Sequence, residues 1–192
     1  MIDESLIREI EDYLSEKFVY HPKRLLHIYN VKKVAITLGK IYQADIPSVI
    51  VACYLHDVTK IDSLEENIRL AGNLIDDSIP RGCIHAYAAY NLAKTDFSIK
   101  NHDILNAIMY HCSGRKEMSL LEKIIYVSDF IEEDREFASD ELRTIAKTNL
   151  DLALYQIMVQ TKTYILKNNQ EFSSVTEEAI RYYKNKLEEL ND

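Results

Sequence analysis

A chain of 192 residues, 47% hydrophobic and 28% charged, is long enough to bury a sizeable core and reads as globular. Its formal net charge of -8 argues against a broad basic surface for duplex nucleic acid, although a small anion can still be held where a metal and a few bases converge. No apolar run reaches membrane-spanning length, and the start Met1-Ile2-Asp3-Glu4-Ser5-Leu6 carries no signal-peptide pattern. The three cysteines, Cys53, Cys83 and Cys112, form no CxxC and are odd in number, which predicts reduced thiols in a cytoplasmic protein.

Four glycines and three prolines leave few breakers, so the expected fold is all-α, a bundle of about nine helices spanning 1–192 as one domain. Leu6, Ile7, Ile10 and Leu14 set a helical stripe over 3–17. His21-Pro22 breaks the chain and opens a helix running to about Gln43. Asp45-Ile46-Pro47 starts the next, with Asp45 as cap, and that helix ends near Asp57. Ser63, with Glu66 three residues on, caps a helix over 63–75, and Pro80-Arg81-Gly82 is a turn. Helices are expected at about 83–94, 101–112 and 119–132, with loops at 113–118 and 133–139. One long amphipathic helix over 140–168 and a charged one over 174–190 follow; they either complete the bundle or form a homodimer surface. The expected site region is about 20–145.

Histidines recur on the apolar faces of these helices. His27 shares the stripe of Val31, Val34, Ala35 and Leu38, and His56 continues that of Ile46, Val49 and Cys53. His85 lies with Ala88, Ala89 and Leu92, His111 continues Ile104, Ala107 and Ile108, and Asp129 follows Leu121 and Ile125. Asp57 directly follows His56. A single histidine on such a face is usually a satisfied core residue. Four histidines and two aspartates are another matter, because burying each without compensation costs several kcal/mol, roughly. A shared metal centre removes that cost and needs these residue types. His21 and His102 fall outside the pattern, one at a helix entry and one at an exposed helix start.

The order His27, His56-Asp57, Asp129 resembles the HD-domain metal-dependent phosphohydrolase superfamily, with His85 and His111 matching the extra histidines of its dinuclear members. The strings Arg24-Leu25-Leu26-His27, Leu55-His56-Asp57-Val58-Thr59-Lys60, Ala107-Ile108-Met109-Tyr110-His111-Cys112-Ser113-Gly114-Arg115 and Ser128-Asp129-Phe130-Ile131-Glu132-Glu133-Asp134-Arg135 resemble its bacterial symmetrical diadenosine tetraphosphate hydrolase branch. The chain departs from that pattern at Cys112-Ser113, where Thr-Thr or Thr-Ser is usual, at Glu133, usually Pro, and at Ser128, usually Ala. None of these is a ligand of the expected set.

The resemblance implies a dinuclear centre. His27, His56, Asp57 and Asp129 would hold one metal, and Asp57 would bridge to a second held by His85 and His111. Iron is implied, with manganese, nickel, cobalt or zinc as substitutes. A hydroxide held between two cations is a nucleophile at neutral pH. The implied reaction is symmetrical hydrolysis of diadenosine tetraphosphate to two ADP. The leaving phosphate is a weak base, so no general acid is assigned. Asp57, Lys60 and Arg115 form the expected catalytic set; Lys60 and Arg115 lie just past ligand-bearing helix ends. Arg24, Glu132 and Arg135 complete the expected substrate-binding set, Glu132 as a group that orients Arg135 or a histidine. Tyr87 and Tyr110 are the first tyrosines to consider for base stacking, and Cys53 and Cys112 read as packing. Other readings are a general nucleotidase, a dinuclear-iron oxygenase and a nucleotide sensor without turnover. Monophosphate preference, oxygen consumption and tight binding without product would distinguish them.

Overall fold

The computed structural model describes residues 2–170 and 172–189. Among these the chain forms ten α-helices and two short 3-10 turns, and no strand. The helices are α1 (Glu4–Lys17), α2 (Pro22–Ile41), α3 (Ile46–Leu55), α4 (Leu64–Ala71), α5 (Ile84–Thr95), α6 (His102–Tyr110), α7 (Leu120–Ile131), α8 (Asp140–Thr148), α9 (Leu150–Lys167) and α10 (Ser174–Glu189). The all-α expectation holds. The expected helix end at 190 lies outside the described residues.

Helix starts follow from short polar side chains that accept from otherwise unpaired backbone amides. Asp45 accepts from the Ser48 amide, Ser63 from Glu66, and Ser119 from Glu122. Asn149 explains the one divided element. It ends α8 and caps α9, accepting from the Leu152 amide, so the stretch expected as one helix over 140–168 is two.

The bundle is centred on α3, Ile-Pro-Ser-Val-Ile-Val-Ala-Cys-Tyr-Leu, whose residues from Val51 to Leu55 are all buried. A helix apolar on all sides is stable only when neighbours cover every side. α1, α2, α6 and α7 pack around it, and α9 joins through α7, with α8 and α10 beside α9. One cluster of buried side chains runs from Ile10 on α1 to Tyr183 on α10. The arrangement brings the C-terminal ends of α3, α6 and α7 together, next to the first two turns of α2 and the first turn of α5.

Candidate metal centre

His56 is the residue after α3 and Asp57 follows it; His111 is the residue after α6; Asp129 lies in the last turn of α7. Helix C-termini carry partial negative charge, which favours a cation at their meeting point. His27 enters from the second turn of α2 and His85 from the first turn of α5. All four histidines are buried, as is Asp57, while Asp129 is partly exposed.

Three of the imidazoles are fixed by their Nδ1 atoms. His56 Nδ1–H donates to the Cys53 carbonyl at 2.7 Å, His111 Nδ1–H to the Ile108 carbonyl at 2.7 Å, and His27 Nδ1–H to Glu132 Oε1 at 3.1 Å. Each bond sets the tautomer that leaves Nε2 as a lone pair facing inward, as metal ligation requires. His85 is placed by its backbone, whose carbonyl accepts from Thr59 Oγ1 at 2.7 Å.

Asp57 divides the cluster. Its Oδ1 lies 3.1 Å from His85 Nε2 and 3.4 Å from His111 Nε2. Its Oδ2 lies 3.7 Å from His27 Nε2 and 3.9 Å from His56 Nε2. Asp129 Oδ1 approaches His27 Nε2 at 3.0 Å. One carboxylate thus turns its two oxygens toward two donor sets.

The donors fit metal ions, and the protein alone leaves them poorly satisfied. His56 Nε2 is fully buried without a hydrogen-bond partner, and His85 Nε2 stands 3.3 Å from His111 Nε2. Two lone pairs at that distance need a cation or a proton near them, and among the described residues the one protein cation beside them, Lys60, reaches only His85. Burial pushes His56 down to about 4. Burial also opposes charge on His27, but the hydrogen bond and charge of Asp129 outweigh it and raise His27. At His85 and His111 burial is likewise outweighed, by the Cys112 sulfur and Asp57, so both rise. Burial disfavours charge on Asp57 and Asp129 as well, yet the surrounding imidazoles hold both well below the usual carboxylate range. Ionised carboxylates and proton-hungry imidazoles form a donor set in which metal replaces protons.

The structure brings the six expected ligands together. Of the expected phosphate contacts, Arg24 Nη1 donates to Asp57 Oδ2 at 2.9 Å, and Arg135 Nη2 to Asp129 Oδ1 at 3.0 Å. Lys60 Nζ lies 3.2 Å from His85 Nε2 and is exposed. Arg115 is placed otherwise. It makes a two-bond pair with Glu122, at 2.9 and 2.6 Å, and stacks on the Tyr110 ring at 5.2 Å. Its charge is committed to a buried carboxylate, and none of its contacts reaches the cluster. Glu132 is buried at 2% exposure, its carboxylate taken by His27 and the Asp134 amide with Arg135 Nε 3.5 Å away, so it orients His27 and Arg135.

A cavity of about 630 Å³ opens over the centre. Lys60, His111, Asp129 and Arg135 form its polar side, and Phe137 and Tyr164 stand on its rim, 60% and 67% exposed. Tyr87 is buried and Tyr110 lies against Arg115, so the exposed rings are other than the two tyrosines expected. Arg143 also escaped the sequence reading. Its guanidinium donates to the carbonyls of Ile131, Glu132, Arg135 and Ala138, tying down the segment that carries Glu132 and Arg135.

Among the described residues no helix is long and apolar enough to cross a membrane. The HD domain family matches residues 24–134, more than half of the chain. The sequence is 36% identical over 154 residues to the symmetrical bis(5'-nucleosyl)-tetraphosphatase of Bacillus subtilis, covering 77% of this chain and 82% of that one. It is 29% identical over 177 residues to the protein of the same description from Staphylococcus aureus, covering 88% and 91%. A crystal structure from Clostridium acetobutylicum, described as a predicted HD superfamily hydrolase involved in NAD metabolism, superposes with a TM-score of 0.88 at 34% identity, covering 93% and 97%. With its His-Asp pair closing the central helix and these relatives along most of its length, the chain belongs to the HD-domain hydrolases, in the family of the symmetrical bis(5'-nucleosyl)-tetraphosphatases.

Proposed function

We propose that the chain hydrolyses dinucleoside tetraphosphates symmetrically, converting diadenosine tetraphosphate and one water into two ADP. The two oxygens of Asp57, turned toward two donor sets beneath a cavity with cationic and aromatic walls, support this reading most directly. His27, His56, Asp57 and Asp129 would hold one ion, and Asp57, His85 and His111 a second; iron is the metal proposed, on the mixed imidazole and carboxylate donors. Bound there, the cations supply Lewis acidity to phosphoryl oxygens and water activated near neutral pH.

The remaining work falls to side chains of the protein. Phosphoryl transfer depends chiefly on positioning and on neutralising charge. Lys60, Arg24 and Arg135 offer three cations around the centre for a polyphosphate chain. Arg24 and Arg135 also hold the carboxylates of Asp57 and Asp129 in place. Phe137 and Tyr164 present exposed faces on which a base can stack, at roughly 1–3 kcal/mol per base. The three cysteines are free thiols, which suits the reducing cytoplasm.

The test is product identity. Incubation of the iron-loaded protein with diadenosine tetraphosphate should yield ADP as the sole nucleotide product. A mixture of AMP and ATP would overturn symmetrical cleavage, and preference for nucleoside monophosphates would favour a nucleotidase.

A further inference from the structure

Cys112 follows His111 and stands at the junction of two cavities, the one over the centre and a second behind it lined by Cys83. Its Sγ lies 3.4 Å from His85 Nε2 and 3.4 Å from His111 Nε2. Those nitrogens are 3.3 Å apart, and Asp57 Oδ1 is 3.1 and 3.4 Å from them. A four-coordinate ion with nitrogen or oxygen at about 2.0–2.1 Å and sulfur at about 2.3 Å, at tetrahedral angles, separates its donors by about 3.3–3.5 Å. Four of the five separations fall in that range, and the Asp57–His85 separation is about 0.2 Å shorter.

We infer that Cys112 is a ligand of the second metal position, completing with Asp57, His85 and His111 a donor set of one sulfur, two nitrogens and one oxygen. The inference rests on the two-ion reading above and adds a residue to it. On coordination the thiol proton leaves to solvent and Sγ binds as thiolate. Cys83 lines the second cavity together with Cys112, where a neighbouring thiol can steady a ligating thiolate. The imidazole Nδ1 of His111 is anchored to the Ile108 carbonyl, so the neighbouring residue is carried into place by the same helix end. A sulfur donor biases the second position toward ions that accept thiolate, zinc, cobalt and ferrous iron, over manganese and magnesium. The first position, with nitrogen and oxygen donors only, has no such bias. The two positions therefore differ in the metals they prefer.

Cobalt(II) reports on this without reference to turnover. The metal-free protein titrated with cobalt should bind two ions, and the second should bring a near-ultraviolet thiolate-to-cobalt charge-transfer band. Cys112→Ser should abolish the band and weaken the second cobalt about 10-fold or more. Two ions bound with no such band would overturn the sulfur ligand and leave the two-ion reading standing. One ion bound with no band would overturn both. One ion with a band that Cys112→Ser removes would uphold the sulfur ligand and overturn the two-ion reading. A band kept in Cys112→Ser and lost in Cys83→Ser would overturn the assignment to Cys112. X-ray absorption of the zinc-loaded natural sequence needs no variant. A sulfur shell at about 2.3 Å supports the proposal, and a shell of nitrogen and oxygen alone overturns it.

Discussion

Arg143 is remote from the cluster and yet its guanidinium joins four backbone carbonyls, at 3.0 Å to Ile131, 3.2 Å to Glu132, 3.0 Å to Arg135 and 2.6 Å to Ala138. Replacing it by methionine keeps the unbranched stem and removes every donor. A hydrogen bond from a charged group contributes about 1.5–3 kcal/mol when buried. The Arg143 side chain is 27% exposed, so water can replace part of each bond. Discounted to roughly 0.5–1 kcal/mol per acceptor, four acceptors give a loss of about 2–4 kcal/mol, or roughly 5–15 °C in Tm for a domain of this size. The freed segment carries Glu132, which holds His27, and Arg135, which holds Asp129. Loss of such outer contacts typically lowers metal affinity or activity about 10–100-fold. Urea unfolding, together with kcat/KM measured well below the new Tm, separates the two effects. Lower stability with unchanged kcat/KM would show that the tether supports the fold without positioning the site. Unchanged stability would show that the four bonds contribute nothing to the fold.

His85→Ala should still fold, with stability lowered by no more than about 1–2 kcal/mol, since a buried ligand of the centre is removed with no backbone change; it should lose the second metal and at least about 100-fold in turnover. Metal analysis with unchanged content and rate would remove the second position from the account. Metal affinity should rise with pH, because His27, His85 and His111 hold protons more tightly than free imidazole and must release them to bind metal. The rise should continue above pH of about 6.5, and affinity should fall steadily below it; calorimetry in buffers of different ionisation enthalpy should register proton release, and none would contradict this. Gly114, three residues past His111, has φ +61°, and a methyl group there would run into the Met158 side chain. Gly114→Ala should cost about 2–4 kcal/mol from backbone strain and overpacking together, read by urea unfolding, and because Met158→Ala removes the clash the double variant should lose less than the sum of the two single losses.

The cluster was legible because helical periodicity alone sets His27, His56, His85, His111 and Asp129 against apolar stripes, where titratable groups require a common partner. The fold class was legible from the scarcity of breakers and the caps at Asp45 and Ser63, which the structure repeats. What periodicity could not report is the partner a side chain finds across the fold. Arg115 sits past the helix end that carries His111, as a phosphate contact would, but Glu122 in the first turn of α7 takes its charge. Ser119-x-x-Glu122 has the form of a capping box, yet the glutamate side chain turns to Arg115 while only the serine caps. The stripe over 140–168 stays in phase across Asn149, so the division into α8 and α9 was hidden until its cap geometry was seen. An odd cysteine beside a histidine has no spacing pattern of its own, so the approach of Cys112 to His85 and His111 was not legible.

Buried and half-buried side chains from five parts of the chain meet where metal for the cleavage of a polyphosphate would be held. Elemental analysis of freshly purified protein, with nucleotide products of the same sample identified after incubation with diadenosine tetraphosphate, tests it most directly. The expected result is two equivalents of transition metal per chain, predominantly iron, and ADP alone, both lost together on chelation. Protein that binds no metal, or that cleaves the substrate equally well after chelation, would contradict it.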